Sequence, residues 1–306
     1  MTPTVREVIN DARARLEEHG VENARVDAEL LYAHVMNMSR SDVLRGVLME
    51  APAWTGTGTN EEQEFQRACA RRCMREPLQH ITGSAHFRHI ELAVGPGVFV
   101  PRPETEVLVQ VALDYLAAEF SAVEDVRPLV VDLCTGSGAI ALSIATEFPT
   151  AQVHGVELDH QAFVWTQRNN ATYSNMVSLT QGDARTVLQD LNNQVHVVIS
   201  NPPYVPPDAV PKDREVAEYD PQIALYGLGH DGLEVPRGIM RSAARLLVPH
   251  GLFVMEHAEV QGAQVRDMLS ATGYFERVET LVDLTNRPRM VVARRNNSPY
   301  REGSPS

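Results

Sequence analysis

Four consecutive residues, Asn201-Pro202-Pro203-Tyr204, follow the apolar run VHVVIS. Their types suit a planar group that carries N–H donors. The Asn201 side-chain oxygen and the Pro202 backbone carbonyl are acceptors, and each can take one N–H. The two prolines stiffen the loop and remove competing backbone donors. The Tyr204 ring can pack flat against an amide or a base. An amide nitrogen is a poor nucleophile because its lone pair is delocalised. A site for such a nitrogen works by positioning and fixed dipoles, and needs no strong general base. Asn201, Pro202 and Tyr204 are the candidate catalytic residues, and Asn201, Pro202, Pro203 and Tyr204 the candidate substrate contacts.

A second constellation lies upstream. In LVVDLCTGSGAIALSIA a buried strand turns into a helix through Cys134, Thr135, Gly136, Ser137 and Gly138. Glycines allow a tight turn and close approach of a ligand, and the helix start presents free N–H groups. Glu157 ends the next strand, where a carboxylate can accept both ribose hydroxyls of an adenosine cofactor. Asp183 follows a third strand and can accept from an adenine amino group, with Ala184 beside the ring; an ordinary turn would place the same residues there. Gly136-x-Gly138-x-x-Ala141 also fits a dinucleotide fingerprint, so an NAD-dependent oxidoreductase is an alternative. That alternative leaves Asn201 to Tyr204 unexplained and offers no hydride-site His or Lys constellation.

Both sets need strands to carry them. From Pro128 onward, strand patterns (129–133, 152–157, 177–180, 195–200, 251–256, 278–284 and 289–293) alternate with helical ones, which predicts an α/β fold with a mainly parallel sheet. Ligands of such sheets bind at the carboxyl ends of strands. Residues 1–76 read as a small helical bundle, with a third helix capped by Ser41 and a fourth ending before Pro77. Residues 77–103 read as a linker with a short hairpin between His86 and Val94, residues 104–295 as the α/β domain, and residues 296–306 as disordered.

The chain has 306 residues, 43% of them hydrophobic, and a net charge of -13. It can build a real core, carries no apolar run of membrane-spanning length, and shows no secretory signal, so a cytoplasmic location is expected. The negative charge does not recruit nucleic acid. Arg67, Arg71, Arg72 and Arg75 read as a solvated helix face. Cys69 and Cys73 read as reduced thiols, and the scattered histidines predict no metal site.

VVDLCTGSG has the form seen in class I methyltransferases, and Asn201-Pro202-Pro203-Tyr204 resembles the motif of enzymes that methylate conjugated nitrogens. With PLQHITGSAHF, GVFVPRPETEVLV, DPQIALYGLGHDGLEVPRGI and DLTNRPRMVVAR, the chain resembles the HemK/PrmC family of protein-(glutamine-N5) methyltransferases over about residues 76 to 295. The resemblance implies a seven-stranded, Rossmann-like class I methyltransferase domain behind a helical N-terminal domain. It implies S-adenosyl-L-methionine as cofactor, held by Cys134 to Gly138, Glu157, Asp183, Ala184 and Asn201. It implies the glutamine of a Gly-Gly-Gln loop in class I peptide chain release factors as substrate, and we expect the helical bundle to dock that partner. The enzyme is expected to act as a monomer, without direct nucleic-acid binding. Arg102 to Glu106 is expected beside the cofactor or as a structural linker. Two departures stand out: Cys134 replaces the usual first glycine, which is tolerable if its φ is negative, and Ala184 stands where an aromatic is common. A nucleic-acid N-methyltransferase acting on an exocyclic base amine is the main alternative.

Overall fold

The computed structural model describes residues 2–54, 56, 58–123 and 125–301. In chain order its helices and strands begin with α1 (Val5–Glu18), α2 (Ala24–Val35), α3 (Arg40–Leu48), α4 (Asn60–Cys73), α5 (Leu78–Thr82), β1 (Ser84–Phe87), β2 (Ile90–Ala93) and α6 (Thr105–Phe120). They continue as β3 (Leu129–Leu133), α7 (Ala139–Glu147), β4 (Gln152–Glu157), α8 (His160–Thr172), β5 (Val177–Gln181) and β6 (Val195–Ser200). The chain then forms α9 (Arg214–Tyr219), α10 (Gln222–Leu225), α11 (Glu234–Leu246), β7 (Leu247–Glu256), α12 (Gly262–Ala271), β8 (Phe275–Val282) and β9 (Pro288–Arg295). Two compact units result: Met1–Ser84 with Pro211–Tyr219, and Ala85–Val210 with Asp220–Ser306.

The first unit is helical. Thr4 accepts from the Glu7 N–H while Glu7 accepts from Thr4, a reciprocal cap on α1. The same box starts α3 at Ser39, not at the expected Ser41. Asp42 stands three residues after Ser39 and can reciprocate, whereas Leu44 stands three after Ser41 and cannot. Leu16, Leu31, Tyr32, Trp54 and Phe65 fill the core, with the Tyr32 ring 5.4 Å from Trp54 and 5.6 Å from Phe65. Cys69 is buried here as a free thiol, which burial pushes up to about 12.

Of the four arginines expected as a solvated face, Arg67 is exposed, whereas Arg71, Arg72 and Arg75 are drawn into ion pairs. Arg72 is buried, with Nε 2.7 Å from Asp27 and a guanidinium nitrogen 2.7 Å from Glu215. Arg75 shares Glu215 at 3.0 Å, and Arg71 pairs with Glu76 at 2.5 Å. Burial pushes the Asp27 carboxyl up, and Arg72 pulls it back. Helical spacing alone does not reveal this cluster, because Glu215 arrives from a segment 140 residues away.

The second unit holds a seven-stranded sheet of order β5-β4-β3-β6-β7-β9-β8 among the described residues. Neighbours from β5 through β7 run parallel, and β9 is antiparallel to β7 and β8. Alternate residues face opposite ways along a strand. Val130, Val197 and Val254 therefore pack under α6 and α7, while Val131, Val198 and Phe253 pack under α11 and α12. The β1–β2 hairpin puts Phe87, Ile90 and Leu92 into the first of these cores. The division between units falls at Ser84, later than the boundary at residue 76 expected from the pattern.

The expected disorder of residues 296–306 meets order as far as Arg301. Arg295 donates to the Ser298 carbonyl at 2.6 Å, the Tyr300 ring lies 5.4 Å from Tyr274, and the Arg301 N–H reaches the Tyr274 hydroxyl at 3.1 Å. The sheet edge supplies these partners, which local composition does not predict. Residues 302–306 lie outside the described residues. No helix among the described residues is long and apolar enough to cross a membrane.

Candidate active site

The sheet order reverses at β3, whose neighbours are β4 and β6. Such a switch point opens a crevice at the carboxyl ends of the strands. Leu133 stands opposite Ser200 in the register, so the Cys134–Gly138 loop and the Asn201–Tyr204 loop leave the sheet side by side. The Ser200 hydroxyl donates to the Leu133 carbonyl at 2.6 Å and ties the two exits together.

Within the first loop, Gly136 and Gly138 take left-handed φ values of 57° and 88°. A Cβ built on Gly136 would meet nothing within 4 Å, so open space borders this backbone. Thr135 N–H donates to Val156 O at 2.9 Å, and the Gly136 carbonyl accepts from the Thr166 hydroxyl. Cys134 itself has φ of 67°. The condition under which it would replace glycine without cost is therefore not met: it takes the conformation that glycine would supply, at a cost of roughly 1–2 kcal/mol. Burial pushes its thiol far up, with Glu157 and Asp132 adding to the shift, so it stands as a neutral thiol.

Asp132 is fully buried beneath the loop. Its Oδ2 accepts from the Thr135 hydroxyl at 2.5 Å and from Ala141 N–H at 3.2 Å, whereas Oδ1 has no hydrogen-bond partner among the described residues. Burial raises this carboxyl to about 7, against those two hydrogen bonds. Glu157 accepts from Gly136 N–H and from Asp159 N–H, both at 2.8 Å and on different oxygens. Each oxygen keeps a lone pair for a further donor. Burial again raises the carboxyl, and the backbone N–H groups of Asp159 and Gly136 hold it down. These features fit S-adenosylmethionine: a backbone cradle open at Gly136, a carboxyl oxygen without a partner that an ammonium would hold in its charged form, and a carboxylate suited to a diol.

Asp183 is occupied differently from expectation. Arg185 grips both of its oxygens, at 2.9 Å and 2.7 Å, and holds the carboxyl below its usual range. Ala184 is 7% exposed and packs into the core beneath α11, so its small size serves the core.

The second loop is braced from three directions. Tyr204 N–H and Val205 N–H both donate to Leu225 O, at 3.1 and 2.8 Å, and Gln261 donates to Tyr204 O at 2.8 Å. A Cβ on Gly232, whose φ is 73°, would lie 2.6 Å from the Tyr204 carbonyl, so the YGLGHDG segment clamps the loop backbone to backbone. From within, Asn201 Nδ2 donates to the Thr105 hydroxyl at 3.1 Å, that hydroxyl donates to Glu256 Oε2 at 2.7 Å, and the Tyr204 hydroxyl donates to Glu256 Oε1 at 3.0 Å. Burial and Glu256 push the Tyr204 phenol far up, so it stays protonated. Arg102, in the segment before α6, donates to Asp220 at 2.5 Å and stacks over Phe99 at 4.8 Å.

Glu256 was absent from the candidate residues, and Thr105 was covered only as part of the Arg102 to Glu106 segment, with no role of its own. The signal for Thr105 was its place in PRPETE. Glu256, an acid ending the buried strand GLFVME, had the same signal as Glu157. Among the described residues, no His, Cys, Asp and Glu side chains converge as a metal site.

Residues 7–83 match the PrmC N-terminal domain family, and residues 104–215 the methyltransferase small domain family. The release factor glutamine methyltransferase of Streptomyces coelicolor is 45% identical over 288 residues, covering 94% of this chain and 96% of the relative. That of Bifidobacterium longum is 42% identical, covering 94% and 99%. The 4-amino-L-phenylalanine/4-methylamino-L-phenylalanine methyltransferase of Streptomyces pristinaespiralis is 36% identical, covering 89% of each chain. With identity of this level along nearly the whole length of its relatives, the chain belongs to the release factor glutamine methyltransferase family.

Proposed function

We propose that this protein transfers a methyl group from S-adenosyl-L-methionine to the side-chain amide nitrogen of the glutamine in the Gly-Gly-Gln loop of class I peptide chain release factors. The observation that carries the reading is the state of Asn201. Its Nδ2 is used by Thr105, so Oδ1 remains as the acceptor, on a braced loop beside the glycine turn.

When bound, S-adenosylmethionine supplies an electrophilic sulfonium methyl group. The chain supplies position. Asn201 Oδ1 and the Pro202 carbonyl take the two amide N–H groups, and the Tyr204 ring, anchored through its hydroxyl, covers the amide plane. Cys134 to Gly138, Asp132 and Glu157 hold the cofactor, and Ala184 borders its pocket from the core. Asp183 reaches the adenine only by sharing its carboxylate with Arg185. The helical unit docks the body of the release factor, and the reaction takes place in the cytosol on a monomeric enzyme without nucleic acid.

The test is incubation with methyl-labelled cofactor and candidate substrates, read by mass spectrometry. Label on the glutamine of a Gly-Gly-Gln release factor is the expected result. Label on RNA or DNA, or on 4-amino-L-phenylalanine, with none on the release factor would overturn the substrate assignment.

A further inference from the structure

The loop that holds the substrate is tied to one buried carboxylate. Glu256 ends β7, next to β6 in the sheet, and Met255 stands opposite Ser200 in the register. Its two oxygens receive the Thr105 and Tyr204 hydroxyls at 2.7 and 3.0 Å, and Thr105 in turn receives Asn201 Nδ2 at 3.1 Å. Thr105 and Glu256 are both buried, so water does not substitute for a missing partner.

The direction of donation follows from the chemistry of the groups. An ionised carboxylate only accepts, and a threonine hydroxyl has one hydrogen. Glu256 takes that hydrogen, which leaves Thr105 only lone pairs to offer Asn201. If the Asn201 amide were turned over, Oδ1 would face those lone pairs, acceptor against acceptor. The relay therefore fixes Nδ2 inward and leaves Oδ1 for the substrate. Both hydroxyls point their hydrogens at the Glu256 oxygens, as they would at a carboxylate, although burial raises this carboxyl above its ordinary value against those hydrogen bonds and the Arg289 charge.

We infer that Thr105 and Glu256 are positioning residues that set the polarity of the Asn201 amide and thereby make the site select a substrate amide over a carboxylate. A glutamine presents N–H donors to Oδ1 and to the Pro202 carbonyl. A glutamate at the same place presents oxygen to oxygen at both, and pays the desolvation of its charge as well. The inference rests on the proposed substrate and adds how the chain discriminates against the acid of the same shape.

The experiment uses the full chain, a release factor with its Gly-Gly-Gln loop, and the same factor with that glutamine changed to glutamate as a competitive inhibitor. Wild type is expected to bind the glutamine form at least about ten-fold more tightly, the scale of one well-placed hydrogen bond to a polarised partner. Thr105→Val should shrink this preference to about two-fold and lower kcat about ten-fold, with affinity for S-adenosylhomocysteine unchanged. Thr105→Ser restores the hydroxyl and should restore both values. A merely structural role would move melting temperature without moving the glutamine-to-glutamate ratio. If Thr105→Val does not fold, Thr105→Ala, which also removes the hydroxyl, must lower the same ratio. A ratio that stays at the wild-type value in a folded variant, or a serine variant that behaves as the valine one, overturns the inference while leaving the proposed function standing. A wild type that labels no release factor overturns the function itself, and this inference with it.

Discussion

Asp132 offers a measurable consequence of burying an acid with no ion-pair partner among the described residues. An exposed aspartate titrates near 3.8, and this one is raised to about 7. At about 1.36 kcal/mol per tenfold change in proton affinity, the gap corresponds to roughly 4 kcal/mol of preference for the neutral form. A raised carboxyl holds its proton in the folded chain where the unfolded chain has lost it. Its contribution to stability is full below pH 3.8 and is lost as pH rises through about 7. An ammonium group placed at the unpartnered Oδ1 reverses the preference, because it favours the charged carboxylate. Binding of S-adenosylhomocysteine, which keeps that ammonium, should therefore expel close to one proton at pH ~6 and about a tenth of one at pH ~8. The dissociation constant should fall about ten-fold between those values and level off above them. Titration calorimetry in two buffers of different ionisation enthalpy reads the proton count directly. Glu157 is also raised, so the control is Asp132→Asn, which should bind more weakly and lose most of the pH dependence. Affinity that is flat from pH ~6 to ~8, or a slope that survives in Asp132→Asn, would refute the reasoning.

Other outcomes follow from single side chains. Asn201→Ala should cut methyl transfer by ~100-fold or more and leave S-adenosylhomocysteine affinity nearly intact, as single-turnover kinetics and calorimetry can establish. Cys134→Val places a β-branched residue at φ of 67° and should destabilise the folded chain by about 1–3 kcal/mol in denaturant titration, whereas Cys134→Gly should not. Arg72→Met leaves the Asp27 and Glu215 carboxylates facing each other without the buried guanidinium. It should cost about 3–5 kcal/mol in the helical unit, followed by urea unfolding; a loss under ~1 kcal/mol would mean that Arg75 alone suffices.

Much of the site was legible in the chain because strand ends and turn residues are local signals. The alternation of apolar runs marked β3, β4, β5 and β6, and the residues after each run were the candidates. Where such reading went astray, a partner from elsewhere decided the matter. Asp183 has the right place for an adenine contact, yet Arg185 folds back onto it. Arg72 has the spacing of an exposed helix face, yet Asp27 and Glu215 bury it. The helical unit runs to Ser84 because Leu78 and Ile81 of α5 pack into its core.

The amino-acid sequence by itself determined the chemistry on offer: acceptors and prolines at Asn201 to Tyr204, a flexible turn at Gly136 and Gly138, and an acid at Glu157. These follow from residue type and from periods of two and 3.6 residues, which need no knowledge of distant neighbours. Tertiary structure alone decided which way the Asn201 amide faces. That depends on Thr105 and Glu256, 96 and 151 residues apart from their respective partners Asn201 and Thr105 along the chain, meeting where both are buried. A hydrogen-bond direction is a property of the whole connected set of donors and acceptors, so no segment contains it until the sheet has brought the set together.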